Sequence, residues 1–219
     1  AELGEPLTLG IWVGGDTTPN SIELATRSVR DLRAGRNPGQ SLFLHTQCPW
    51  CGAEVGTIHD LPVARGGRKP QKKLLGIDTD DISFRCSDPD CYFHEYGLPF
   101  HVVDEVLLGK LPAVLIATVD KFAQLPKKPQ LRRFFGIDDD GSQFGEPPSL
   151  IIQDELHLIS EALGSMVGAF EPLIHALCER IGTRPKIVCS TATIRTYRSQ
   201  IRALFARDQV CVFPPPEFA

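Results

Sequence analysis

Apolar positions change period several times along this chain, and the changes divide it into strands, helices and one irregular stretch. Leu7-Thr8-Leu9-Gly10-Ile11-Trp12-Val13 is rich in strand-forming residues and stops at Gly14-Gly15, which predicts a strand ending in a turn. A helix should follow. Asn20 or Ser21 can cap it, Ile22, Leu24, Val29 and Leu32 supply apolar positions, and Gly35-Arg36-Asn37-Pro38-Gly39 ends it. From about His45 to Tyr96 the periodicity weakens and Gly and Pro increase, which reads as an inserted module. Val102 to Leu108 then predicts a short helix. Pro112-Ala113-Val114-Leu115-Ile116-Ala117 predicts a buried strand delivering Thr118-Val119-Asp120-Lys121-Phe122 into another helix. Lys127 to Pro148 is a long polar connection, of the kind that carries function or is disordered.

The last third alternates regularly. Strands are expected at Ser149 to Gln153, Lys186 to Ser190 and Val210 to Phe213, with helices between Glu161 and Arg180 and from Thr196 to Ala206. Such alternation predicts an α/β fold, a parallel sheet with helices packed on it. Ligands of these sheets sit at the carboxyl ends of strands. Thr118, Asp154 and the Ser190 to Thr193 turn should therefore lie along one edge.

Composition narrows the class. The chain has 219 residues, 42% of them hydrophobic, enough for a real core in one large domain or one domain with an insert. No apolar run approaches the roughly 18 residues of a membrane span. The N-terminal residues also lack the basic and apolar regions of a signal peptide, so a soluble cytoplasmic protein is expected. A formal charge of -4 does not by itself suggest a nucleic-acid binder, but the charge is segregated. Arg65, Arg68, Lys69, Lys72 and Lys73 form one basic cluster and Lys127, Lys128, Arg132 and Arg133 a second; acids gather at Asp78 to Asp81 and Asp138 to Asp140. Each cluster reads either as a solvated loop or as a grip on a phosphate backbone. Arg27, Arg30 and Arg33 would share one helical face, with the same two readings.

Seven cysteines are of two kinds. Cys178, Cys189 and Cys211 are isolated among apolar neighbours, as small core residues are. Cys48-Pro49-Trp50-Cys51 and Cys86-Ser87-Asp88-Pro89-Asp90-Cys91 instead form two close pairs, each in a turn tight enough to aim both sulfurs at one tetrahedral ion. Structural Zn²⁺ is the expected occupant, because four thiolates leave no open position for substrate. Disulfides, free thiols and an Fe-S cluster are the other readings, with His45, His59 and His94 as substitute ligands.

The most specific string is Ile151-Ile152-Gln153-Asp154-Glu155-Leu156-His157, an apolar strand ending in Asp-Glu-x-His, as in the Walker B site of a nucleic-acid-dependent ATPase. Asp154, directly after the strand, suits Mg²⁺ held through water. Glu155 suits a group that orients or deprotonates an attacking water, and His157 one that senses the site. Asp154 and Glu155 capping the following helix is the alternative. Ser190-Thr191-Ala192-Thr193 at the end of a neighbouring strand argues for the first reading, since its hydroxyls can bond the carboxylates. A Gly-rich phosphate loop ending in Gly-Lys-Ser/Thr is missing, because Gly109-Lys110 continues with Leu111.

In this order, Gly14-Gly15, Thr118-Val119-Asp120-Lys121-Phe122, Asp154-Glu155-Leu156-His157 and Thr191-Ala192-Thr193 resemble the first motor domain of superfamily 2 helicases, of the DExH type. A closer resemblance is to the helicase subunits of the DISARM anti-phage defence system. It is carried by Pro148 to Ser160, Leu163-Gly164, Ser190-Thr191-Ala192-Thr193-Ile194 and Phe213-Pro214-Pro215-Pro216. The resemblance implies a partial RecA-like sheet at 1–44 and 101–219, interrupted by the zinc module at 45–100. It also implies ATP and Mg²⁺ as ligands, DNA as substrate, companion subunits as partners, and an excised portion of a longer protein. Asp154, Glu155, His157, Thr191 and Thr193 would then form the catalytic set. Thr118, Asp120, Lys121, Gly14 and Gly15 would contact nucleic acid, joined by Arg68, Lys69, Lys72 and Lys73 of the basic segment. Half of an ATP site is expected to hydrolyse little ATP alone. A non-catalytic zinc-dependent module binding nucleic acid or protein is the competing reading; a metal-dependent hydrolase using Asp154, Glu155 and His157 lacks a second ligand set.

Overall fold

A computed structural model describes residues 7–60, 72–159, 161–191 and 197–213. The chain forms two compact units, Ala1–Lys121 and Phe122–Ala219. In the first, β1 (Leu9–Trp12) leads into α1 (Ile22–Arg33), then the hairpin strands β2 (Ile58–Asp60) and β3 (Lys72–Leu74). A smaller pair follows, β4 (Ile77–Asp78) and β5 (Ser83–Phe84), then a single helical turn, α2 (Tyr92–Glu95). The unit closes with β6 (Phe100–His101), α3 (Asp104–Gly109), β7 (Val114–Ala117) and α4 (Val119–Phe122), whose last residue begins the second unit. The main sheet has the order β6-β1-β7 and is parallel throughout, with Leu9 opposite both Phe100 and Val114 and Trp12 opposite Ala117.

Ser21 is the cap of α1, its hydroxyl accepting from the Leu24 amide at 3.2 Å, and Gly35 takes the left-handed conformation past the helix end. The face of α1 that enters the core is Ala25, Ser28 and Val29, with Leu32 beside them, whereas Ile22 and Leu24 are exposed. Arg27, Arg30 and Arg33 are exposed on the other side. The stretch expected to be a separate insert shares one apolar core with α1. Ala25 and Val29 belong to the same buried cluster as Val55, Leu74, Phe84 and Phe100. Within it Phe84 stacks on Phe100 with ring centroids 4.5 Å apart, and Phe43 meets Phe84 edge-on.

In the second unit, β8 (Leu150–Gln153) and β9 (Lys186–Cys189) pair in parallel, joined through α5 (Glu161–Arg180) and followed by α6 (Tyr197–Phe205). The connection before β8 is organised rather than loose. It contains a 3-10 helix, Pro129–Phe135, that buries Leu131 and Phe135, and a return closed by the Ile137 and Gln143 bridge. Gly136 makes that return at φ 72°, where an added Cβ would lie 2.2 Å from the Gly145 carbonyl oxygen. The expected strand at Val210 to Phe213 does not form. In the described residues β8 and β9 pair only with each other, so this segment has no ladder, and Val212 and Phe213 are exposed. No helix among the described residues is long and apolar enough to cross a membrane.

Candidate functional site

Parallel pairing of β8 with β9 sets Gln153 opposite Cys189, which brings Asp154 and Ser190 together at the carboxyl ends of the two strands. The backbone continues the register past the strands. The Ser190 amide donates to the Gln153 carbonyl and the Leu156 amide to the Ser190 carbonyl, both at 2.9 Å. The Asp154 carboxylate accepts from the Ser190 hydroxyl and from the Glu155 amide, the latter at 2.9 Å, and these bonds hold it below its ordinary value. It therefore stays ionised at neutral pH. Glu155 sits at φ 51°, left-handed backbone that a residue with a side chain adopts only when its surroundings enforce it. Its carboxylate lies 3.1 Å from His157 Nδ1. Leu156, fully buried, anchors the 3-10 turn Leu156–Leu158 between these two polar residues. Glu155 and His157 thus point away from the core while Leu156 points in.

Gln200 was not anticipated. From α6 its amide donates to the carbonyls of Leu156 at 3.1 Å and Ile159 at 2.8 Å, clamping both ends of the turn that carries Glu155 and His157. The signal in the sequence was faint: Gln200 stands one helical turn before buried Leu204, on the inward edge of α6. Thr191 is exposed, and Thr193 lies outside the described residues.

In the first unit, Gly14-Gly15 and Thr118 follow adjacent parallel strands and share one carboxyl edge, joined by a 3.3 Å bond from the Thr118 amide to the Trp12 carbonyl. The Gln40 side chain donates to the Gly15 carbonyl. Thr118 and Asp120 are exposed. Lys121 is only 4% exposed, with its ammonium 2.7 Å from Asp104 Oδ2 and 5.5 Å from the centroid of the Trp12 ring. Its charge is thus committed inside the unit. Asp154 and Ser190 belong to the second unit, so the structure joins the expected edge residues in two groups.

Four sulfurs converge. The Sγ atoms of Cys48, Cys51, Cys86 and Cys91 all lie within 4.8 Å of one another, and Cys51 is the exposed member. A tetrahedral ion with Zn–S bonds of about 2.3 Å needs sulfur separations of about 3.8 Å, a value bracketed by the 3.3 Å between Cys51 and Cys86 and the 4.8 Å span of the set. Local backbone builds each turn. Gly52, at φ 78°, donates its amide to the Cys48 carbonyl at 2.9 Å, and the Asp88 amide reaches Cys86 Sγ at 3.4 Å. Burial pushes the Cys86 and Cys91 thiols up. At Cys48 burial acts the same way, but the amides of Cys51 and Trp50 together with the neighbouring Cys86 and Cys51 thiols outweigh it and draw the thiol down. Four clustered thiols cannot all ionise without a cation, which is the electrostatic signature of a metal set. His94 Nδ1 is bonded to the Cys86 carbonyl at 2.8 Å, and His45 packs edge-on against Phe100. Of the basic cluster, Arg65, Arg68 and Lys69 lie outside the described residues; Lys72 and Lys73 belong to β3, where Lys73 is exposed.

No family model matches the chain. Over 242 residues, 95% of this chain and 21% of the relative, it is 30% identical to the DISARM protein DrmA of Bacillus paralicheniformis. The chain therefore spans about a fifth of the length of the curated relative it matches and is DrmA-like along nearly its whole length. A crystal structure of the DUF1998 helicase MrfA is similar over 48% of this chain and 15% of that one, with 20% identity and a TM-score of 0.39.

Proposed function

We propose that this chain is part of an ATP-dependent DNA helicase or translocase of a phage-defence system, supplying the DExH-like carboxylate half of its nucleotide site. The turn after β8 carries the reading. An ionised carboxylate, a strained glutamate and a hydroxyl from the neighbouring strand meet at the carboxyl ends of parallel strands, where α/β sheets receive ligands. The similarity to DrmA supports the assignment to defence.

In this reading Asp154 would hold Mg²⁺, which when bound would neutralise phosphate charge. Glu155 accepts a proton from the attacking water, with His157 orienting its carboxylate. Ser190 and Thr191, with Thr193, report the state of Asp154 to α6, whose Gln200 fixes the turn. Gly14, Gly15, Thr118 and Asp120 line the edge that meets DNA. Lys121 supports that edge through Asp104 rather than by touching phosphate. Arg68, Lys69, Lys72 and Lys73 extend the contact from the cysteine module, and Cys48, Cys51, Cys86 and Cys91 hold structural zinc.

The test uses the full-length protein. Glu155→Gln should lower DNA-stimulated ATP turnover by about a hundredfold or more while ATP and DNA still bind. Unchanged turnover would refute the reading. The 219-residue chain alone is expected to hydrolyse little ATP, lacking a phosphate loop. Glu155-dependent turnover by the chain alone would contradict that half-site assignment. The built cysteine centre favours a second reading, a zinc-dependent binding module. Under it Glu155→Gln changes nothing and zinc removal abolishes binding.

A further inference from the structure

The two cysteine turns also present a set of aromatic rings that neither the nucleotide turn nor the metal uses. Trp50, between Cys48 and Cys51, is 75% exposed, and Tyr92 and Tyr96, just after Cys91, are 60% and 66% exposed. The rings form one chain of contacts. Trp50 meets Phe93 edge-on at 6.2 Å, Phe93 meets Tyr92 at 5.3 Å, and Tyr92 stacks on Tyr96 at 4.5 Å. Phe93 packs against the buried core, so the ridge is rooted in the fold while its outer rings face water. Large aromatic side chains left in water at this density mark a recognition surface.

Charge selects the partner. Asp90 precedes Tyr92 and Glu95 precedes Tyr96, both exposed, and among the described residues no lysine or arginine side chain forms an ion pair with either. Arg85 reaches the Glu95 backbone carbonyl at 3.5 Å but gives its ion pair to Asp78. Exposed unpaired carboxylates repel phosphate and attract ammonium and guanidinium groups, and electron-rich ring faces do the same. We propose that the Trp50, Tyr92 and Tyr96 ridge docks a lysine- and arginine-rich segment of a partner protein. The basic side chains lie over the rings, and Asp90 and Glu95 take their charges. The two cysteine turns hold the rings in place before binding, which limits the ordering cost.

The chain itself supplies the reporter. Of its two tryptophans, Trp12 is 2% exposed and Trp50 is 75% exposed, so ligand-induced fluorescence changes arise at the ridge. The full chain is titrated with a Lys-Gly repeat peptide, a Glu-Gly repeat peptide and oligothymidylate. A saturable change with the lysine peptide alone is expected. Tyr96→Leu should weaken it about fivefold, the worth of one exposed cation–π contact. The paired changes Asp90→Asn and Glu95→Gln, which leave every ring in place, should weaken it and flatten its salt dependence. The proposal is overturned if the lysine peptide causes no change, if oligothymidylate binds the ridge more tightly, or if both sets of variants bind as the parent does.

Discussion

Glu171 offers a sharp test of the packing of the second unit. It is the only charged residue of the second unit that is buried among the described residues, 4% exposed, and it lies on the face of α5 that also buries Phe170, Ile174 and Cys178. Burial alone pushes its carboxyl up to about 7 from an ordinary 4.5. Since each pH unit of difference corresponds to about 1.36 kcal/mol, ionised Glu171 costs the folded state about 3 kcal/mol. The native value lies above the unfolded one, so the native state binds the extra proton. This contribution to stability is complete below about pH 4.5 and is lost as pH rises through about 7. Glu171→Gln keeps the shape and removes the titration. Urea unfolding followed by circular dichroism should find parent and variant equally stable near pH 4.5, with the variant ahead by up to about 3 kcal/mol near pH 8. The ionised carboxylate also adds to the burial that raises the Cys178 and Cys189 thiols. Parallel stability curves for parent and variant would refute the assignment of a buried, shifted carboxyl.

Other perturbations probe separate parts of the chain. Metal analysis should find one zinc per chain, lost in Cys86→Ser but retained in Cys189→Ser, and chelation should reduce the ordered structure of the first unit, because ligand binding and folding are coupled in such sites. Lys121→Ala breaks the pair with Asp104 and leaves a carboxylate largely buried, so it should lower stability by roughly 3 kcal/mol or more. Lys121→Met should cost the same unit less than Lys121→Ala if packing on Trp12 contributes alongside charge, and equal losses would exclude that. Gly136→Ala should destabilise the second unit by more than about 1 kcal/mol in denaturant unfolding, through both its positive φ and the approach of the Gly145 carbonyl. In the full-length protein Gln200→Leu should lower kcat with little change in KM for ATP, since it frees the turn that aims Glu155 without touching the nucleotide.

Much of this architecture was legible in short stretches of sequence, because the relevant physics is local. Strand formers ending in Gly14-Gly15, Ser21 before an amphipathic run, and Ile151-Ile152-Gln153 before paired acids each specify their own element. Cysteine spacing likewise foretold that Cys48, Cys51, Cys86 and Cys91 would meet, since two tight turns need only be brought together once. Other features depend on partners distant in the chain. The fate of Lys121 rests on Asp104 and Trp12, which fold against it and turn an expected phosphate contact into an internal ion pair. Val210 to Phe213 has strand composition but no neighbouring ladder, and the polar connection after Lys127 acquires order from Leu131, Phe135 and the Gly136 return. The sequence alone determined which chemistry the chain carries: a carboxylate turn, hydroxyls beside it and four thiolates. Only the tertiary structure decided which of those groups face water and which are neutralised inside. Burial and pairing set that outcome, and both are properties of neighbours that the chain order does not put side by side.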